Sequence, residues 1–85
     1  MAGEEADRMA KELRKLLAEI RKAKGINQID LAKTLNRTQT FVSNYERGER
    51  RLAVVDFVLI ARALGEEPTE LLGRVASEGG ISRLC

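Results

Sequence analysis

The chain has no histidine, a single proline and a single cysteine, Cys85, at its last position. One cysteine cannot close an internal disulfide, and without histidine or further cysteines no zinc cluster can assemble. Cys85 therefore reads as a tail residue without a role. No apolar run approaches the roughly 20 residues that a membrane-spanning helix needs. No apolar signal-peptide core follows Met1, so a cytoplasmic protein with no membrane partner is expected. No stretch alternates with period two over a useful length, which argues against a sheet. A catalytic cluster and a phosphate-cradling glycine-rich loop are both lacking, so the sequence names no catalytic residue, cofactor, metal or small-molecule ligand, and an enzyme is not expected.

What remains is a chain of 85 residues, 44% hydrophobic and 33% charged. That length allows one domain with a modest core. Net charge is only +2, weak evidence by itself for a nucleic-acid partner. Its distribution says more. The basic excess lies in the first two thirds, and Arg47, Arg50 and Arg51 cluster within five positions. Such a cluster is either part of a mixed solvated surface or a small phosphate-facing patch.

Residues 26–48 organise the rest. Asn27 is a good N-cap, with Asp30 three residues on, and Ile26 and Leu31 stand at the positions of a hydrophobic staple. A helix is predicted over about Gln28 to Leu35, with Leu31, Ala32 and Leu35 inward. Asn36 and Arg37 make the turn. Thr38 then caps a second helix, Gln39 to Arg47, which Gly48 stops in the left-handed conformation. On a wheel of about 100° per residue with Gln39 at zero, Ser43, Arg47, Thr40 and Asn44 fall between roughly 40° and 140°. Phe41, Tyr45 and Val42 fall between roughly 200° and 300°. One face is apolar; the other is rich in amides. Solvated helix faces usually carry Glu and Lys, whereas Asn and Gln suit the donor–acceptor edge of adenine in a major groove.

Three further helices follow from spacing. From about Glu5 to Lys24, Met9, Leu13, Leu16, Leu17 and Ile20 recur at i, i+3, i+4 and i+7, and Gly25 ends the run. A fourth helix is expected over Ala53–Leu64, with Val54, Phe57, Val58, Ile60, Ala61 and Leu64 as its apolar residues. Pro68 opens a fifth, whose apolar residues are Leu71, Leu72 and Val75. The expected organisation is a disordered N-terminus over 1–5, one all-α five-helix domain over 6–76, and a flexible tail over 77–85.

The paired helices, with Ala32 in the first and Glu46-Arg47-Gly48 closing the second, resemble the helix-turn-helix of the Cro and phage-repressor (XRE) family. The likeness runs from about Leu13 to Leu72 and includes Ala-x-Ala-Leu-Gly at 61–65 and Glu-Leu-Leu at 70–72. It implies a lambda-repressor-like fold that binds double-stranded DNA. It implies base contacts from Gln39, Thr40, Ser43 and Asn44. Backbone contacts are implied for Asn27, Gln28, Arg47, Arg50 and Arg51. It further implies a structural ion pair between Arg21 and Glu46. Ala53 departs from the family's capping Ser or Asp. Ile29 stands where a polar or small residue is usual, and is either exposed or laid against the first helix. Phe41 is bulkier than the family's Ser or Thr, which favours packing; Tyr45 is expected in the core. One such domain reads few bases, so a homodimer on a palindromic operator is expected, repressing more readily than activating. Leu71, Leu72 and Val75 form the expected dimer surface. The competing reading is an antitoxin-like protein-interaction module that uses the same fold.

Overall fold

The computed structural model describes residues 2–77. They form five helices in chain order: α1 (Ala2–Ala23), α2 (Gln28–Leu35), α3 (Gln39–Arg47), α4 (Val54–Ala63) and α5 (Pro68–Ala76). No strand occurs among the described residues. The tail expected at 77–85 lies outside them except for Ser77, which caps the C-terminus of α5.

The caps explain the limits of α2 and α3. The Asn27 side chain accepts from the Asp30 amide at 2.7 Å, satisfying a donor that α2 cannot. The Thr38 hydroxyl accepts from the Phe41 amide at 3.3 Å and does the same for α3. Asn36 ends α2 at φ 58°, and Gly48 ends α3 at φ 80°. Asparagine is among the few residues with a side chain that tolerate this region. Two left-handed stops, one on either side of α3, set how it leaves the body of the protein.

Ala53 stands at the N-cap of α4 without a side-chain hydrogen bond. Leu64, placed inside α4 by spacing, is its C-cap. At the other end of the chain α1 begins at Ala2, so residues 2–5 belong to a helix rather than to a disordered segment. Glu4 and Glu5 occupy its first turn, where carboxylates complement the positive end of the helix dipole.

Leu17, Leu31, Val42, Tyr45, Ile60, Leu64 and Leu71 are almost completely enclosed, and all five helices contribute to this core. Helix α1 packs on α3 and α5, α2 on α3 and α4, and α4 on α5. Two expectations about facing require correction. Leu71 and Val75 are not available as a dimer surface: they are 1% and 7% exposed. Four residues apart, they share one face of α5, and this chain's own core takes that face. Burying Leu71 contributes roughly 1.5–3 kcal/mol. Leu72, about 100° further round the helix, is 47% exposed. Val54 shares the spacing of Phe57, yet it is 75% exposed.

Candidate nucleic-acid interface

The polar face of α3 is built by burying its other face. Phe41, Val42 and Tyr45 are buried, while Gln39, Thr40 and Arg47 are exposed and Ser43 and Asn44 are half-buried. Phe41 meets Tyr45 edge to face, with ring centroids 5.6 Å apart, a favourable arrangement for aromatic quadrupoles. Rotation of α3 about its axis would expose these rings, so the outward set is held by the inward one.

A polar chain holds the same helix at both ends. Arg21 of α1 donates from Nε to Glu46 Oε2 at 2.7 Å and from Nη2 to Glu46 Oε1 at 3.1 Å. Its Nη1 donates to the Ile26 carbonyl at 2.8 Å, which also ties down the α1–α2 connection. Glu46 Oε1 accepts in addition from Gln28 Nε2 at 2.9 Å. Gln28 Oε1 in turn accepts from Gln39 Nε2 at 3.3 Å. The first residue of α3 is thereby linked through the first residue of α2 to the end of α3. An amide nitrogen carries two hydrogens. With one held by Gln28, the other hydrogen and Oε1 of Gln39 remain for an external partner.

The remaining residues named from the sequence differ in their surroundings. Arg47 lies back across its own helix and donates to Ser43 Oγ, to Asn44 Oδ1 at 2.8 Å and to Glu49 Oε1 at 3.2 Å. Asn44 therefore offers Nδ2 rather than Oδ1 as its free group. Asn27 is exposed, and its side-chain oxygen caps α2. Arg50 and Arg51 are exposed, with no acidic partner among the described residues. Ile29 is 48% exposed. The Tyr45 hydroxyl is buried and has no hydrogen-bond partner among the described residues.

A further residue of the site, Arg37, is marked by the sequence only as part of the turn between α2 and α3. Arg37 carries its guanidinium 3.8 Å from the centre of the Phe41 ring and pairs with Asp56 of α4 at 3.4 Å. The available signal was an arginine four positions before an aromatic at a helix start. The intervening turn hides that signal, because spacing rules hold only within one helix. With Arg50 it borders a shallow hollow that also touches Thr40 and Asn44.

No group of carboxylates or thiols among the described residues is arranged to hold a metal ion, and no described helix is long and apolar enough to cross a membrane. The geometry offers a convex helix with outward amides, flanked by guanidinium groups.

Among curated proteins, none matches the chain closely enough to count as a relative. A helix-turn-helix family model matches residues 17–71, from the core of α1 into α5. An XRE-family like protein from Pseudomonas syringae pv. tomato is similar over 86% of this chain and 89% of its own, with 40% identity and a TM-score of 0.83. A point mutant of the restriction-modification controller protein C.Esp1396I is similar over 87% of this chain and 94% of its own, with 27% identity and a TM-score of 0.74. The clp gene regulator ClgR from Corynebacterium glutamicum shares the fold, with a TM-score of 0.74 over 89% of this chain and 81% of its own at 21% identity. Five helices in register, a capped pair at their centre and these matches agree: the chain belongs to the XRE (Cro/C1-type) family of helix-turn-helix DNA-binding proteins.

Proposed function

We propose that this protein reads a specific double-stranded DNA sequence as a transcriptional regulator, a repressor more readily than an activator. In this reading α3 lies in the major groove with its N-terminal residues at base edges, and α2 crosses the backbone. The observation that carries it is the Gln39–Gln28–Glu46–Arg21 chain. It fixes the Gln39 amide before DNA arrives, so less side-chain freedom is lost on binding. Gln39 then meets an adenine through Nε2 and Oε1, a contact worth roughly 1–3 kcal/mol of discrimination. Thr40, Ser43 and Asn44 complete the base-facing set. Asn27, Gln28, Arg47, Arg50 and Arg51 face phosphates. The likeness to a restriction-modification controller protein supports a regulatory role.

A two-fold dimer on a palindrome supplies the specificity that one short helix lacks. Leu72 of α5, Val54, Val55 and Leu59 of α4, and Ile29 of α2 are the large apolar residues that the described residues leave exposed.

The test is selection of binding sites from random DNA at fixed salt, followed by retardation of the selected duplex. Gln39→Ala with Asn44→Ala abolishes the preference for that duplex over random DNA. An unchanged preference would leave α3 without its assigned role. The Arg47→Ala variant weakens binding to all sequences alike and flattens the salt dependence by about one unit.

A further inference from the structure

We propose that Phe41 is a positioning residue: its ring holds Arg37 and Arg50, drawn from two different loops, as a pair of phosphate clamps beside the base-reading face. The inference rests on the reading that α3 enters the major groove, and it adds Arg37 to the contact set. The Arg37 guanidinium lies 3.8 Å and the Arg50 guanidinium 5.0 Å from the ring centre. Both are within the range of a cation–π attraction. Arg37 comes from the turn between α2 and α3, and Arg50 from the connection after α3. Their meeting point is the third residue of α3. The hollow they border also touches Thr40 and Asn44, so both charges stand next to the proposed base contacts.

The physical case concerns order. Arginine carries much rotamer freedom, and a flexible surface arginine loses it on meeting a phosphate. A guanidinium already stacked on a ring has lost part of that freedom. The ring attracts the charge without accepting its N–H groups, which stay available to a phosphate. Arg37 spends one nitrogen on Asp56 at 3.4 Å and retains the others. Arg50 has no acidic partner among the described residues. A smaller polar residue at position 41 would leave both guanidinium groups without a platform.

The test uses the whole chain and a labelled mixed-sequence duplex, with affinity measured by fluorescence anisotropy across a sodium chloride series. Arg37→Ala and Arg50→Ala are each expected to reduce the slope of log affinity against log salt by about one unit. Phe41→Leu keeps the net charge and an apolar side chain of similar bulk. It is expected to weaken binding roughly fivefold to twentyfold, the effect of having to order two freed arginine side chains on each binding event. In the Arg37→Ala/Arg50→Ala background it should have no further effect, and Phe41→Tyr should bind like the parent. Circular dichroism melts identify any variant that fails to fold; should Phe41→Leu fail, the arginine slopes decide. If Arg37→Ala and Arg50→Ala keep the parental slope while Arg47→Ala flattens it, the clamp is wrong and DNA binding stands. If the parent itself fails to bind the duplex at the lowest salt, the DNA reading falls and takes the clamp with it.

Discussion

Arg21 and Glu46 meet side by side, Nε to Oε2 at 2.7 Å, with both side chains more than nine-tenths buried. This two-bond fork joins α1 to the last turn of α3. Removing both charges from water offsets much of their attraction, so the pair is a weak source of net stability. Breaking it is another matter. Glu46→Ala strands a buried guanidinium and is expected to destabilise the fold by about 3–5 kcal/mol. For a domain of this size that lowers the melting temperature by more than ~10 °C. Arg21→Met with Glu46→Leu should recover most of the loss. Melts followed by circular dichroism check both, and a Glu46→Ala protein melting near the parent would refute the first.

Gln28 stands between that fork and Gln39. Gln28→Ala removes one bond to a carboxylate and one to an amide at a half-exposed site. Stability should fall by only about 1 kcal/mol. Given the proposed DNA contact, preference for the selected duplex over random DNA should drop about fivefold, because Gln39 keeps its chemistry and loses its fixed orientation. Parallel urea unfolding and competition binding separate the two effects. A loss of stability with unchanged preference would mean that Gln28 only braces the fold.

Tyr45 is the only tyrosine in the chain, and its hydroxyl is buried without a partner among the described residues. Tyr45→Phe removes an unsatisfied polar atom at little change in shape. It should leave stability at neutral pH within about 1 kcal/mol of the parent, or above it. Burial, and then the neighbouring Glu46 carboxylate, push the Tyr45 pKa well above its ordinary 10; Arg21 pulls the other way. The folded state therefore keeps its proton where the unfolded chain has given it up. This contribution is whole below pH 10 and fades as pH climbs above that value towards the folded-state pKa. Urea unfolding at a series of alkaline pH values should show the decline in the parent, with the tyrosine part missing from Tyr45→Phe.

Gly48 adopts φ 80°, and a Cβ there would lie 2.7 Å from the Arg14 guanidinium carbon. Gly48→Ala therefore meets both backbone strain and a clash. The strain costs roughly 1–2 kcal/mol. The clash is with the far end of a flexible side chain, which can swing away. Adding Arg14→Ala should restore little of the lost stability, because most of the loss is in the backbone. Full recovery in the double variant would reverse that assignment.

These residues also mark where the sequence is legible. Asn27, Thr38 and Gly48 announce the ends of α2 and α3, because caps act through bonds within three or four residues. The wheel of α3 separates its buried from its outward residues for the same reason. Leu71, Leu72 and Val75 show the limit: spacing marks a face but not what covers it, and α5 packs on both α1 and α4. The stack of Arg37 on Phe41 is silent in sequence, since two segments meet there across a turn. The Arg21–Glu46 pair is legible only through family resemblance, because a separation of 25 positions carries no local pattern. Residues 2–5 look acidic and small, a composition shared by loose termini and by good helix starts.

The packing of α1 against both α3 and α5 bears on how the protein is made. Of the five helices α1 is made before the others, yet one of the two layers that close over it comes from the last. Until Leu71 emerges, the core that it shares with Leu17 is incomplete, and the half-made chain carries open greasy surface. Assembly of the core thus waits on the last of the five helices, and the first and last helices should be lost together when the protein unfolds.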